Sequence, residues 1–340
     1  MFFNQTTYSV GTHPYSVAVV DVNSDNKSDI VVTNWGSNNV GVLLNTGSGT
    51  FNPQTNYSVG SNPYSVAVVD VNSDNKPDIV VTNENSASVS VLLNAGNGTF
   101  YTQASHSVGN QPTSVVVVDV NSDNKSDIVV ANYNSASVSV LLNAGSGAFN
   151  TQTAHSVGTN PYSVAVVDVN SDNKPDIVVA NYGSNTTSVL LNTGNGTFSA
   201  QSTYSVGTAP YSVAVVDVNS DNKSDIVVAN SGSNTTSVLL NTGNGTFNPQ
   251  ATYAVGSGPE AAAVVDVNSD NKPDIVVANH DSNTVSVLLN AGNGTFNAQT
   301  TYAVGTHPYS IAVVDVNNDN KPDIVVTNSD SDNVGVLLHC

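Results

Sequence analysis

The chain has 340 residues and a formal charge of −19, with 26 acidic residues, seven lysines and no arginine. Nucleic acid is not an expected partner, because phosphate neutralisation needs clustered cations, and an anionic membrane surface is disfavoured for the same reason. A hydrophobic fraction of 39% with 10% charged residues fits a folded chain; no apolar run reaches the ~18 residues of a membrane span, and one cysteine, Cys340, allows no disulfide framework.

The placement of the charges carries more than their number. All seven lysines are the seventh residue of one nonapeptide, DVNSDNKSD at Asp21 to Asp29, which recurs every 49 residues from Asp70, Asp119, Asp168, Asp217, Asp266 and Asp315. Its positions one, five and nine hold 21 of the 26 acidic residues, leaving Glu84, Glu260, Asp281, Asp330 and Asp332. Strict repetition overrides the usual division of a chain this long into two domains, so 1–340 reads as a single domain of seven repeats.

From the N-terminus, Phe2 to Val10 reads as a polar strand, with no basic-then-apolar signal segment after Met1. The second repeat shows the whole unit. YSVAVVDV (Tyr64 to Val71), DIVVTN (Asp78 to Asn83) and VSVLLN (Val89 to Asn94) are β-branched runs bounded by Pro, Gly, Asn and Ser, and predict strands A, B and C. TFNPQTNYSV (Thr50 to Val59) predicts a fourth strand, D, whose Pro53 suits a sheet edge. Asn97-Gly98 has the chemistry of a tight hairpin turn, because both residues tolerate positive φ.

Strands A and B are apolar at consecutive positions, which requires cover on both faces. Stacked neighbours supply it, and the expected fold is all-β, a seven-bladed β-propeller of four-stranded antiparallel blades. Ala18 and Ala67 in strand A suit crowding near the axis. Met1 is in register with Thr99 and Cys340 with Ala95, so strand D at Phe2 to Val10 is expected to pair with strand C at Val334 to Leu338 and close the last blade.

In the nonapeptide, side-chain oxygens fall at positions 1, 3, 5 and 9. Neighbouring carboxylates repel by about 1 kcal/mol per pair in water, and more where water is excluded. Calcium takes six to eight oxygens and removes that repulsion; position 7 would add its carbonyl, with the lysine ammonium turned away. Asn26 at position 6 suits a left-handed turn. Val32 at position 12 excludes an EF-hand, which needs a bidentate glutamate there, and magnesium prefers a more compact octahedron. The competing reading is an Asx-rich turn that needs no metal.

The pattern Asp-x-Asn-x-Asp-Asn-Lys-x-Asp between two apolar strands, repeated sevenfold with a following GNGTF, resembles the FG-GAP/VCBS repeat family of integrin α-subunit propellers and related fungal lectins. The resemblance covers the whole chain and implies that positions 1, 3, 5, 7 and 9 ligate Ca²⁺. Carried over, these are Asp21, Asn23, Asp25, Lys27 and Asp29, then Asp70, Asn72, Asp74, Lys76 and Asp78, and Asp119, Asn121, Asp123, Lys125 and Asp127. The later copies give Asp168, Asn170, Asp172, Lys174 and Asp176; Asp217, Asn219, Asp221, Lys223 and Asp225; Asp266, Asn268, Asp270, Lys272 and Asp274; and Asp315, Asn317, Asp319, Lys321 and Asp323. Family loops commonly carry Asp at position 3 and Gly at position 6, where every copy here has Asn, so one anionic ligand fewer is offered. About seven Ca²⁺ are expected, and seven ions at +2 each take the formal charge from −19 to −5.

The A–B and C–D turns of such a meander share one face of the ring, and the B–C and D–A connections share the other. The second face is the variable one, and Trp35, Tyr133, Tyr182, His280 and Glu260 are its candidate ligand-binding residues, weighed against drift in exposed turns. Tyr15, Tyr64, Tyr162, Tyr211 and Tyr309 recur by position and read as packing residues, as do His106 and His155 in place of the strand D tyrosine. His13 and His307 fall on neighbouring blades once the ring closes. The expected function is a non-enzymatic, calcium-stabilised scaffold for protein or glycan recognition, extracellular or at the cell surface. A multivalent calcium-dependent lectin is the alternative, and a propeller hydrolase the third reading; against an enzyme stand the lack of an internal Cys nucleophile and of a spare Lys or Arg.

Overall fold

The computed structural model describes residues 1–102 and 104–340. Seven four-stranded antiparallel sheets stand around an axis in the order A, B, C, D from the centre outward. In blade 1 the strands are Pro14–Val20, Asp29–Asn34, Asn39–Leu43 and Thr55–Ser58. Strand A opens blades 2 to 7 at Pro63, Pro112, Pro161, Pro210, Pro259 and Pro308. Thr6–Ser9 supplies strand D of blade 7, pairing Thr6 with Val336 and Ser9 with Asn333, and Phe2 bridges to His339. The ring is therefore closed by its first strand, as the register of the repeats requires.

The consecutive apolar residues of strand B are explained by what lies on either side. Ile30 and Val32 pack with Val325, Val334 and Val336 of blade 7, while Val31 packs with Val66, Ile79 and Val81 of blade 2. Every strand B is buried along its whole length. Strand A is not. It is half-buried at most positions, because its inner edge lines the axial channel instead of a neighbouring blade.

Strand D also differs from expectation. Thr50–Phe51 pairs with Asn45–Gly47 as a separate small hairpin, and only Thr55–Ser58 pairs with strand C. Strand C ends at Leu43 because the next available amide, that of Asn45, turns to Asp29 Oδ1 at 2.7 Å. The break occurs with or without proline, so Pro53 is not its cause.

Two sets of side-chain bonds tie six of the seven blades to the preceding one. Asn94 Nδ2 donates to the Val22 carbonyl at 2.9 Å, and equivalent bonds run from Asn45, Asn143, Asn192, Asn241 and Asn290. At the closing blade His339 stands in that place, with Nδ1 buried and unpartnered. Nearer the axis, Val66 N donates to Ser16 Oγ at 3.3 Å, and five further junctions repeat the bond. Between blades 6 and 7 the accepting serine is replaced by Ala261.

Candidate functional site

The nonapeptide loop is shaped by its own oxygens. Asp21 Oδ1 accepts the amides of Asn23, Ser24 and Asp25 at 3.1, 2.7 and 3.2 Å, and Oδ2 accepts that of Asn26 at 2.7 Å. Asn23 Oδ1 accepts from Asp25 N and Asp25 Oδ1 from Lys27 N, both at 3.0 Å. Asn26 is left-handed as expected, with φ 63°, and Ser24 at position 4 shares that conformation, which its residue type did not announce. The last copy has Asn318 there, at φ 61°.

Asp29 stands apart from the other carboxylates. It is completely buried as the first residue of strand B, with Oδ2 accepting Val22 N at 3.0 Å and Oδ1 accepting Asn45 N at 2.7 Å. Burial raises its carboxyl to about 6; the two amide bonds oppose the rise, and Asp25 and Asp21 add to it. Asp225 is raised to about 6 in the same way, and Asp78, Asp127, Asp176, Asp274 and Asp323 shift in the same direction.

One expectation is corrected here. The Lys27 ammonium does not turn away; it lies 3.2 Å from Asp25 Oδ2, and the lysines of the next five copies make the same return. An otherwise uncompensated carboxylate two residues back attracts it. Among the described residues, no three carboxylate, imidazole or thiolate groups converge on a point that could hold a metal. The donor set nonetheless has the chemistry a hard cation takes: side-chain carboxylate and amide oxygens of Asp21, Asn23 and Asp25 in one tight loop, with main-chain oxygens beside them.

The C–D hairpin lies over this loop. A Cβ on Gly98, at φ 75°, would meet Leu44 Cδ2 at 2.8 Å and Asn23 Cβ at 3.5 Å, so glycine is required where the tip of blade 2 crosses blade 1.

At the other face, the starts of the A strands place Tyr15, Tyr64, Thr113, Tyr162, Tyr211, Glu260 and Tyr309 around the axis, above a cavity of about 120 Å³. The hydroxyls of Tyr64, Tyr162, Tyr211 and Tyr309 hydrogen-bond to one another across the channel. Tyr15 stacks on Tyr309 at 4.1 Å and on Trp35 at 5.4 Å. Burial, with Glu84, Glu260 and Asp330 adding to it, pushes the Tyr15 phenol up to about 12, and burial moves the other four upward as well, so the plug stays neutral.

Glu260 is not a rim residue. It takes the tyrosine position in blade 6, its Oε2 is buried without a hydrogen-bond partner, and burial followed by Asp281 raises its carboxyl to about 9. Trp35, Tyr133, Tyr182 and His280 do sit on the B–C turns around the mouth. Trp35 Nε1 donates to Glu84 Oε2 at 2.7 Å, and the rings of Tyr133 and Tyr182 are 6.3 Å apart. His280 pairs with Asp281 at 2.7 Å and stacks on His307 at 4.1 Å. His307 and His13 flank Asp330 at 2.6 and 4.0 Å, and Asp332 Oδ1 accepts the His13 amide. Four of the five acidic residues outside the nonapeptides, Glu84, Asp281, Asp330 and Asp332, thus lie around one mouth with Glu260 buried at the axis beneath it, a grouping the sequence order does not display. His106 and His155 pack edge-on against Phe149 and Phe198 at 5.3 Å, as the strand D tyrosines do against their phenylalanines.

A closed ring of seven four-stranded blades, with one repeated acidic loop per blade on one face and varied aromatic and acidic turns on the other, defines a repeat propeller. The FG-GAP-like repeat model matches residues 21–81, 70–130, 119–179, 168–228, 217–277 and 266–326, and the chain belongs to that family. No functionally curated protein matches it in sequence. In fold it is similar to virginiamycin B lyase from Staphylococcus aureus, with 13% identity, TM-score 0.69 and full coverage of both chains. It is also similar to an Agrocybe aegerita lectin that recognises non-reducing terminal N-acetylglucosamine, with 21% identity, TM-score 0.59, and coverage of 85% of this chain and 80% of that one. BBS1N in complex with ARL6DN gives 12% identity, TM-score 0.69, and coverage of 99% and 98%. At these identities the likeness concerns the fold alone.

Proposed function

We propose that the chain is a non-enzymatic, calcium-stabilised propeller that presents its variable mouth to a protein or glycan outside the cell or at its surface. The observation that carries this reading is the segregation of the two faces. Repeated acidic loops occupy one, while Trp35, Tyr133, Tyr182, His280 and four unrepeated acidic residues, Glu84, Asp281, Asp330 and Asp332, surround the other. In each loop the side chains of positions 1, 3 and 5 and the carbonyl of position 7 would hold Ca²⁺, with the buried position 9 carboxylate, Asp29 and its counterparts, anchoring strand B beside the ion. Calcium binding would displace the lysine ammonium from position 5 and offset the repulsion from Asp25 and Asp21 that adds to the effect of burial on Asp29.

A second reading, a multivalent lectin, is supported by equivalent clefts at the outer rim. Each is lined by strand D of one blade and the Thr-Phe segment of the next: Tyr8 with Phe51 and Asn52, Tyr57 with Phe100 and Tyr101, Tyr204 with Phe247 and Asn248. Repeated weak sites of this kind gain by multivalency.

Thermal melts with Ca²⁺ and with chelator, coupled to metal counting, test the calcium role. About seven bound ions and a large fall in Tm on chelation are expected; an unchanged Tm would remove the ion from the stabilising role. Glycan-array binding separates the readings. Signal that survives mutation of Trp35 and His280 but is lost when Tyr8, Tyr57 and Tyr204 are replaced together by Ala would favour the rim clefts.

A further inference from the structure

Blade 3 breaks the tyrosine ring in a way that builds a pocket. Where five blades carry tyrosine at the start of strand A, blade 3 carries Thr113, and a cavity of about 370 Å³ opens beside it, within the range of small-molecule sites. Its walls are the rings of Tyr133, Tyr162, Tyr182 and Tyr211, with the Glu84 carboxylate at one side. Ring centroids stand 5.6 Å apart for Tyr133 and Tyr162, 5.9 Å for Tyr162 and Tyr182, and 6.2 Å for Tyr182 and Tyr211, with interplanar angles of 87°, 43° and 78°. Tyr162 and Tyr211 lie against each other at 3.7 Å and 36° and form one wall, while Tyr133 and Tyr182 meet them at 43° to 87° around the remaining gap.

Glu84 is held in place from both sides. Its Oε2 accepts Trp35 Nε1 at 2.7 Å and its Oε1 accepts Gln111 Nε2 at 3.3 Å. A carboxylate has about four lone-pair sites, so acceptor capacity remains. All seven lysines belong to nonapeptide loops at the opposite face, and six lie within 4.0 Å of their own loop's carboxylate, so none neutralises Glu84. The Thr113 hydroxyl donates to the Pro161 carbonyl at 3.3 Å and does not compete for a ligand.

We propose that this pocket is a receptor for a quaternary ammonium group, an inference that rests on the mouth being the recognition face. Electron-rich ring faces within about 6 Å of a cation attract it, and a nearby carboxylate adds a long-range term. A metal ion is a poor occupant, since calcium requires six to eight oxygens and the pocket offers one carboxylate. A primary ammonium would leave most of its three donors unpaired, whereas a methylated one asks for no hydrogen bonds. Choline-like solutes and the trimethyllysine side chain of a peptide share this chemistry.

Trp35, the only tryptophan, is bonded to Glu84 and supplies a fluorescence readout beside calorimetry. The calcium-loaded chain is titrated with choline and with its uncharged isostere 3,3-dimethyl-1-butanol, then with one peptide carrying trimethyllysine or unmodified lysine at the same position. Choline or the methylated peptide is expected to bind at least about tenfold more tightly than its control, and the tighter of the two identifies the source. Thr113→Tyr, which installs the residue five blades already hold, and Glu84→Gln, which keeps the shape, should each weaken that binding about tenfold with unchanged Tm. Equal binding of charged and uncharged probes, or undiminished choline binding by a folded Thr113→Tyr chain, overturns the proposal. A chain that captures glycan or protein through Trp35 and His280 yet ignores both ammonium probes loses the cage and keeps its recognition face.

Discussion

Replacing Glu260 by glutamine should stabilise the protein, and the gain should grow with pH. In the folded chain the carboxyl is raised to about 9 from an ordinary value of 4.5 by burial at the axis, with Asp281 adding to the shift. A group raised in this way contributes stability that is complete below pH 4.5 and is lost as pH climbs through 9. Each pH unit inside that window costs about 1.4 kcal/mol. Between pH 5 and pH 8 the parent should therefore lose about 4 kcal/mol relative to a chain with a neutral isostere, as an upper limit. For 340 residues, an unfolding entropy of about 2 cal/mol/K per residue converts this to roughly 6 °C in Tm. Melts of parent and Glu260→Gln in the same calcium buffer at both pH values give the answer, since groups common to both chains cancel in the comparison. Nearly equal Tm at pH 5 and a gap of several degrees at pH 8 are expected. A gap that stays constant with pH would show that Glu260 keeps its proton equally well folded and unfolded, and the reasoning from burial would fail.

Other outcomes follow from the irregular blades and from the loops. Ala261→Ser installs the missing acceptor for the Ile311 amide and should add about 1 kcal/mol, with slower hydrogen exchange at Ile311 as the local check. His106→Tyr and His155→Tyr remove buried, unpartnered Nε2 atoms and bring a hydroxyl toward the Gly147 and Gly196 carbonyls, as Tyr8 reaches Gly49 at 3.0 Å. Each should add about 1 kcal/mol, and because burial lowers both imidazoles, the parent's stability from this source is lost as pH falls below 6.5 while the variants' is not. In chelator, the raised position 9 carboxyls make the chain more stable as pH drops from 7 toward 4; in Ca²⁺ the same drop should destabilise it, because protons then compete with the ion. Melts that move in the same direction in both buffers would count against cation binding in the loops.

Much of the architecture was legible because repetition fixes register. Strand B of the second blade was bounded at Asp78 and Asn83 from sequence, and closure by the first strand followed from the phase of Met1 against Thr99. What stayed hidden depends on which way a side chain faces once seven copies close on themselves. Thr113 and Glu260 are plain departures from tyrosine in the sequence, but only the ring shows that this position points to the axis, so that one departure opens a pocket and the other buries a carboxyl. The nonapeptide poses a sharper problem. An Asx-rich turn and a calcium loop draw on the same oxygens, and Asp21 accepts four amides in this loop. Hydrogen bonding therefore cannot separate the two readings, and charge must. Burial is the main cause of the upward shift of Asp29, and Asp25 and Asp21 add to it; a divalent cation in the loop would offset that added repulsion and lower the carboxyl, whereas a metal-free Asx-rich turn would leave it raised.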